Sequence, residues 1–269
     1  MSMLNGGGNS ELRFPFGQNW TNFLSVVDER RIAEATARLF EVLGDIRGKT
    51  FLDVGSGSGI HSLAAFRLGA SRIHSFDYDP QSVACTQEMK RRYASDANWH
   101  VERGSVLDES YIRSLGKFDT VYSWGVLHHT GEMWKALDLV SIPVQERLMV
   151  AIYHDHGWRS RFWQRYKRSY NRVWRPAQKM MQIAVFGWVW GKPFIWHPRH
   201  TRDRWRSYIK DRGMSPWYDV VDWAGGYPFE FASPTALISF YDQRGFTLQY
   251  KEVRGGNNCN DYLFGRRWS

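Results

Sequence analysis

The chain has 269 residues, of which 43% are apolar and 23% charged, with two cysteines and a formal charge of +9. That length and apolar share can fill the core of one large or two small domains, which excludes a disordered chain. No run approaches the roughly 18 apolar residues of a membrane span, and Cys85 and Cys259 show neither disulfide-framework nor zinc spacing.

In chain order, residues 1–10 are polar and glycine-rich, without the charged-then-apolar pattern of a leader, so the expected location is the cytoplasm. The stretch Phe14 to Trp20 is aromatic and turn-forming. Ser25 and Asp28 are cap residues ahead of Ile32, Ala35, Leu39, Val42 and Leu43, which recur at helical spacing. Phe51-Leu52-Asp53-Val54 is then a short buried strand that runs into Gly55, Gly57 and Gly59, a tight turn that opens a helix over 59–68. Glycines let a ligand approach the main chain closely, and the helix start offers it unpaired N–H groups.

Asp77 ends the next apolar run, at the distance of roughly 20 residues expected between such a turn and a ribose-binding acid. Asp79-Pro80 caps a helix to about 93, followed by a strand over 99–103 and the stretch Gly104 to Asp108. Further strands are expected at 118–123 and 147–153 around a helix at 132–140. A helix over 234–243 precedes two closing strands, 246–253 and 261–264, joined by the turn Gly255-Gly256-Asn257-Asn258.

The basic charge belongs to one segment. Residues 157–212 hold fifteen Lys or Arg against two acids, a net of +13 that leaves −4 for the rest. Placed on one helix, Phe162, Trp163, Tyr166, Tyr170, Val173 and Trp174 fall within an arc of about 120°, with Arg161, Arg165, Arg168 and Arg172 on another side. The apolar run 180–190 is too short to span a bilayer. This insert is expected to form a helical lid over the carboxyl ends of the strands.

The stretches Asp53 to Gly59, Phe76-Asp77-Tyr78-Asp79 and Phe118 to His129 resemble the motifs of class I S-adenosylmethionine-dependent methyltransferases. An acid two residues before the first glycine separates these from dinucleotide-binding dehydrogenases. The resemblance covers about residues 50–152 and implies an α/β, Rossmann-like sheet of seven strands with helices on both faces. The expected segments are an N-terminal cap at 1–48, a cofactor-binding core at 49–156, the insert at 157–228, and a closing helix and hairpin at 229–269.

It also implies S-adenosylmethionine as cofactor. Asp53, Gly55, Ser56, Gly57 and Gly59 would lie beside its methionine part, Asp77 on the ribose, and Tyr78 and Val106 on adenine. Ser105 stands where many relatives carry an acid. Ser123, Trp124 and Gly125 would face the same pocket, and Asn19 and Trp20 stand where relatives cap the active site.

His128 and His129, after the fourth strand, are candidate general bases, since an imidazole with a pKa near roughly 6.5 can deprotonate a bound hydroxyl or amine. Tyr153, His154 and Asp155 are rivals past the fifth strand. Asp222, Trp223 and Tyr227 lie in a turn-rich stretch suited to closing over an acceptor. Acids and histidines show no metal-ligand spacing.

Two classes of acceptor fit. One is a small or medium-sized metabolite under the lid, as in the ubiquinone-pathway type of methyltransferase, with oligomer contacts as another use of the aromatic face. The other is RNA, in the manner of transfer-RNA wobble-uridine modifiers, or an anionic membrane surface, held by residues 157–212.

Overall fold

The computed structural model describes residues 24, 27–191, 199, 201, 216–254 and 258–267. The chain divides into two compact units, Gly157–Phe229 and the described residues of Pro15–His156 with Glu230–Ser269. Among the described residues no helix is long and apolar enough to cross a membrane.

The larger unit opens with α1 (Glu29–Leu43), capped by Asp28, whose carboxylate accepts from the Arg31 N–H at 2.9 Å. Strands and helices then alternate: β1 (Thr50–Val54), α2 (Ile60–Arg67), β2 (Arg72–Asp77), α3 (Pro80–Tyr93), β3 (Trp99–Arg103), α4 (Glu109–Ser114), β4 (Phe118–Trp124), a 3-10 turn (Leu127–His129), α5 (Met133–Val140) and β5 (Val144–Tyr153). After the insert come α9 (Pro234–Asp242), β6 (Phe246–Glu252) and β7 (Cys259–Arg266).

The seven strands form one sheet in the order β3-β2-β1-β4-β5-β7-β6, with β7 antiparallel to both neighbours. The order reverses between β1 and β4, where Asp53 pairs with Tyr122. In such a sheet the ligand crevice lies beyond the carboxyl ends at that switch point.

Both faces of the sheet are covered, as a parallel sheet requires. Leu52 and Val54 of β1, Val121 of β4, and Leu148, Val150 and Ile152 of β5 bury against α5 and α9, together with Leu237 and Tyr241. The alternate residues Phe51, Tyr122, Met149 and Ala151 bury on the opposite face against Ile32, Leu39, Leu63 and Met89 of α1, α2 and α3. Strand β5 begins three residues before the expected Arg147, because Val144 already pairs with Phe118.

The smaller unit holds α6 (Trp158–Tyr170), α7 (Arg175–Phe186), continuing as a π-helical turn Gly187–Gly191, and α8 (Pro216–Gly225). The expected single helix through Trp174 is corrected here. The chain leaves the helix after Tyr170, and Trp174 is instead the exposed N-cap of α7, with Pro176 in that helix's first turn.

The aromatic stripe therefore divides. Tyr170 is buried, Trp163 and Tyr166 pack around Val185, Trp190 and Val220, and Phe162 and Trp158 stay exposed. Lys167 is also buried. Its ammonium donates to the Trp223 carbonyl and stands 4.8 Å and 4.5 Å from the ring centres of Trp223 and Phe229.

Candidate active site

The glycine turn is locked to β2 by two hydrogen bonds, from the N–H groups of Gly55 and Ser56 to the Phe76 carbonyl at 2.9 and 3.1 Å. Gly55 has φ of 79°, and a Cβ there would come within 2.5 Å of the Val126 methyls, so both conformation and space demand glycine. The Asp77 carboxylate accepts from the Gly57 N–H at 3.0 Å and the Asp79 N–H at 2.9 Å. Its pKa is raised, chiefly by burial, with these hydrogen bonds acting against the rise. Thr86, which carries no motif in the sequence, steadies the turn by hydrogen bonds to the Ser56 hydroxyl at 2.9 Å and the Gly57 carbonyl at 3.2 Å.

Asp53 lies behind the turn, fully enclosed. The Ser62 hydroxyl is 2.5 Å from its carboxylate and 2.7 Å from the Ser75 hydroxyl, to which the Trp99 indole N–H donates at 2.7 Å. Burial pushes Asp53 up to about 7, with the Asp77 charge adding to the rise. It thus supports the turn from inside, a correction to its expected place beside a ligand.

Of the residues expected near adenine, Tyr78 is exposed, with the Arg103 guanidinium 5.5 Å from its ring centre. The Ser105 hydroxyl accepts from the Leu107 N–H at 3.2 Å, and the Val106 side chain is buried in the core, leaving its backbone for a ligand. Ser123 is likewise a correction. Its side chain is fully buried and its hydroxyl donates to the Val54 carbonyl at 3.0 Å, so it ties β4 to β1 rather than reaching a pocket.

Trp124 is exposed at the end of β4 and donates its indole N–H to Asp261 at 3.2 Å. Gly125 follows with φ of 76°. Asp261 is buried between Arg38 and Arg254, at 2.9 and 2.8 Å. Beside it a cavity of about 90 Å³ is lined by Arg38, His61, Tyr122, Trp124, Arg254 and Asp261. His61 packs its ring on Tyr122 and Trp124, and burial pushes it down to about 4, leaving a neutral imidazole at pH 7. A wider groove at Phe40, Ile46 and Leu68 holds none of the candidate residues.

The two histidines after β4 separate sharply. His128 is fully buried, its ring 4.4 Å from that of His129 and 4.2 Å from that of Tyr153, with Nε2 3.9 Å from Cys259 Sγ. Its carbonyl accepts from the Glu230 N–H. A base sealed in this way cannot meet an acceptor, which corrects the expectation for His128. His129 is only partly buried and stands edge-on to Tyr153 at 5.7 Å.

His154 Nδ1 lies 3.0 Å from the Asn260 amide nitrogen, a donor, so the tautomer assigned by this contact carries its proton on Nε2. The Asp155 N–H donates to the Ala232 carbonyl. Glu230, to which the sequence assigns no role, caps α5 by accepting from the Met133 N–H at 3.0 Å. Its signal was weak, an acid at the end of a turn-rich stretch.

Asp222, Trp223 and Tyr227 belong to the smaller unit, and the side chain of Asp222 lies outside the described residues, as do Asn19 and Trp20. Trp223 packs its ring 4.3 Å from Trp163, and among the described residues its buried indole N–H has no acceptor. Tyr227 is partly buried.

The model of the family "Ribosomal protein L11 methyltransferase (PrmA)" matches residues 36–123. A ribosomal protein L11 methyltransferase of Alteromonas mediterranea is 52% identical over 48 residues, which are 18% of this chain and 16% of that protein. The chain thus matches well under a fifth of that relative's length. Among solved structures, the magnesium protoporphyrin IX methyltransferase of Synechocystis PCC 6803 with bound SAH is similar over 96% of this chain and 90% of that one, at 14% identity and a TM-score of 0.53. The N-terminal domain of EvdMO1, in the presence of SAH and D-fucose, is similar over 87% and 83%, at 13% identity and a TM-score of 0.53. The switch-point sheet and these likenesses give the chain the Rossmann-like fold of methyltransferases, and the glycine turn with its facing acid lies in the part that the family model matches.

Proposed function

We propose that this chain transfers a methyl group from S-adenosylmethionine to an oxygen or nitrogen nucleophile of a small or medium-sized metabolite. The observation that carries the cofactor assignment is Asp77, pinned by the Gly57 and Asp79 N–H groups at the carboxyl end of β2. An acid fixed in this way keeps lone pairs free for a vicinal diol, and a turn that admits no Cβ at Gly55 fits close backbone approach.

When bound, S-adenosylmethionine supplies a methyl on a positively charged sulfur, already activated for in-line displacement. The Asp77 carboxylate would accept from its ribose hydroxyls, Tyr78 and the backbone of Val106 would hold its base, and the turn Gly55 to Gly59 would hold its methionine part. His129 takes the proton of the nucleophile, and Tyr153 holds the orientation of its ring. Alignment does most of the remaining work, as expected where the leaving group is already activated.

The family match ends at residue 123, before the insert, and so gives no support here to the protein acceptor named for those relatives. Incubating the enzyme with methyl-labelled cofactor and a cell extract tests the acceptor class. Label should enter the small-molecule fraction and be lost with His129→Ala, and label confined to RNA or protein would contradict the proposal.

A second reading has its own observation. Arg161, Arg165 and Arg168 are exposed on α6 together with Trp158 and Phe162, the mixture that holds RNA or an anionic membrane. In that reading the acceptor is carried by a polyanion.

A further inference from the structure

Away from the candidate active site, β2 and β3 bring His74 together with His100 and Glu102, which follow it by more than twenty residues in sequence. His74 pairs with His100 across the two parallel strands, and Glu102 lies one alternation further along the same face. Nitrogen and oxygen ligand atoms of the three all lie within 4.8 Å of one another. His74 Nε2 is 3.0 Å from one Glu102 oxygen, and His100 Nε2 is 3.3 Å from the other.

These separations are close to those of a metal site. Tetrahedral zinc with bonds of about 2.0 to 2.1 Å holds its ligand atoms roughly 3.3 Å apart. Two imidazoles and one carboxylate favour zinc or a neighbouring transition metal over calcium or magnesium, which prefer oxygen. An outer contact is in place as well. The Tyr111 hydroxyl donates to Glu102 at 2.7 Å, the kind of bond that orients a ligating carboxylate. The Tyr111 ring is itself held edge-on to Phe76 at 5.1 Å.

We propose that His74, His100 and Glu102 form a zinc site, with water as the fourth ligand, that ties the edge strand β3 to β2. The ion takes the Nε2 lone pairs that face Glu102, and each neutral imidazole keeps its single proton on Nδ1. Burial above all, and with it the neighbouring His100 and Arg72, disfavours a protonated His74, and the Arg72 charge opposes a bound metal too.

The test is calorimetric titration of zinc into the full chain, with cobalt(II) as a spectroscopic substitute. One zinc per chain should bind with a dissociation constant in the micromolar range or tighter. His100→Ala, at an exposed position, and Glu102→Gln should each weaken binding about tenfold or more and abolish the visible bands of tetrahedral cobalt, while circular dichroism stays unchanged. His154→Ala should bind zinc as the wild type does. Failure of the folded chain to take up zinc saturably, or uptake that survives both His100→Ala and Glu102→Gln, would overturn the proposal.

Discussion

Asp53 illustrates how one buried carboxyl couples the turn to pH. Held at about 7 in the fold against 3.8 in the open chain, it binds its proton more tightly when folded. Its contribution is therefore whole below about pH 4 and is lost as pH rises towards 7, the reverse of an ordinary ion-paired acid. Between pH 5 and pH 8 this group should cost the wild type roughly 2 to 3 kcal/mol, a loss that Asp53→Asn lacks, as urea unfolding at the two pH values will show. The two histidines after β4 call for opposite outcomes. His129→Ala should keep cofactor binding and lose on the order of 10²-fold in turnover. His128→Ala should lower the unfolding midpoint by opening a cavity between His129 and Tyr153.

At the scale of elements, the sequence reached the strands and helices around the glycine turn almost to the residue, because each carries local signals. Asp79-Pro80 caps α3, and the alternation of β1 ends at three glycines. The helical insert was harder, since periodicity alone does not show where a helix stops. Pro176 in the first turn of α7 breaks the stripe that the arc of aromatics suggested. The support residues Ser62, Thr86, Asp261 and Glu230 were invisible for another reason, as their partners are distant in sequence and only the folded sheet brings them together.

Burial now separates two substitutions on α6. Trp163→Ala should cost about 2 to 4 kcal/mol, and Phe162→Ala less than about 1 kcal/mol, by denaturant unfolding. Asp261→Ala removes the buried partner that Arg38 and Arg254 share, while both keep Glu252, and should cost roughly 1 to 3 kcal/mol.

For the whole molecule, charge and cofactor chemistry belong to different units. The exposed arginines on α6 decide between the two acceptor classes by their response to salt. If the insert holds a polyanion, binding to RNA or anionic vesicles should fall steeply with salt, and replacing Arg161, Arg165 and Arg168 by glutamine should flatten that slope. If the acceptor is a metabolite, those variants should keep their turnover. Both outcomes rest on the glycine turn and Asp77 holding S-adenosylmethionine, and calorimetry of S-adenosylmethionine with the wild type and Asp77→Ala tests this most directly. The expected result is one cofactor per chain, weakened in the variant by roughly 2 to 3 kcal/mol, the size of hydrogen bonds to a charged group. A wild type that binds none, or a variant that binds equally well, would contradict it.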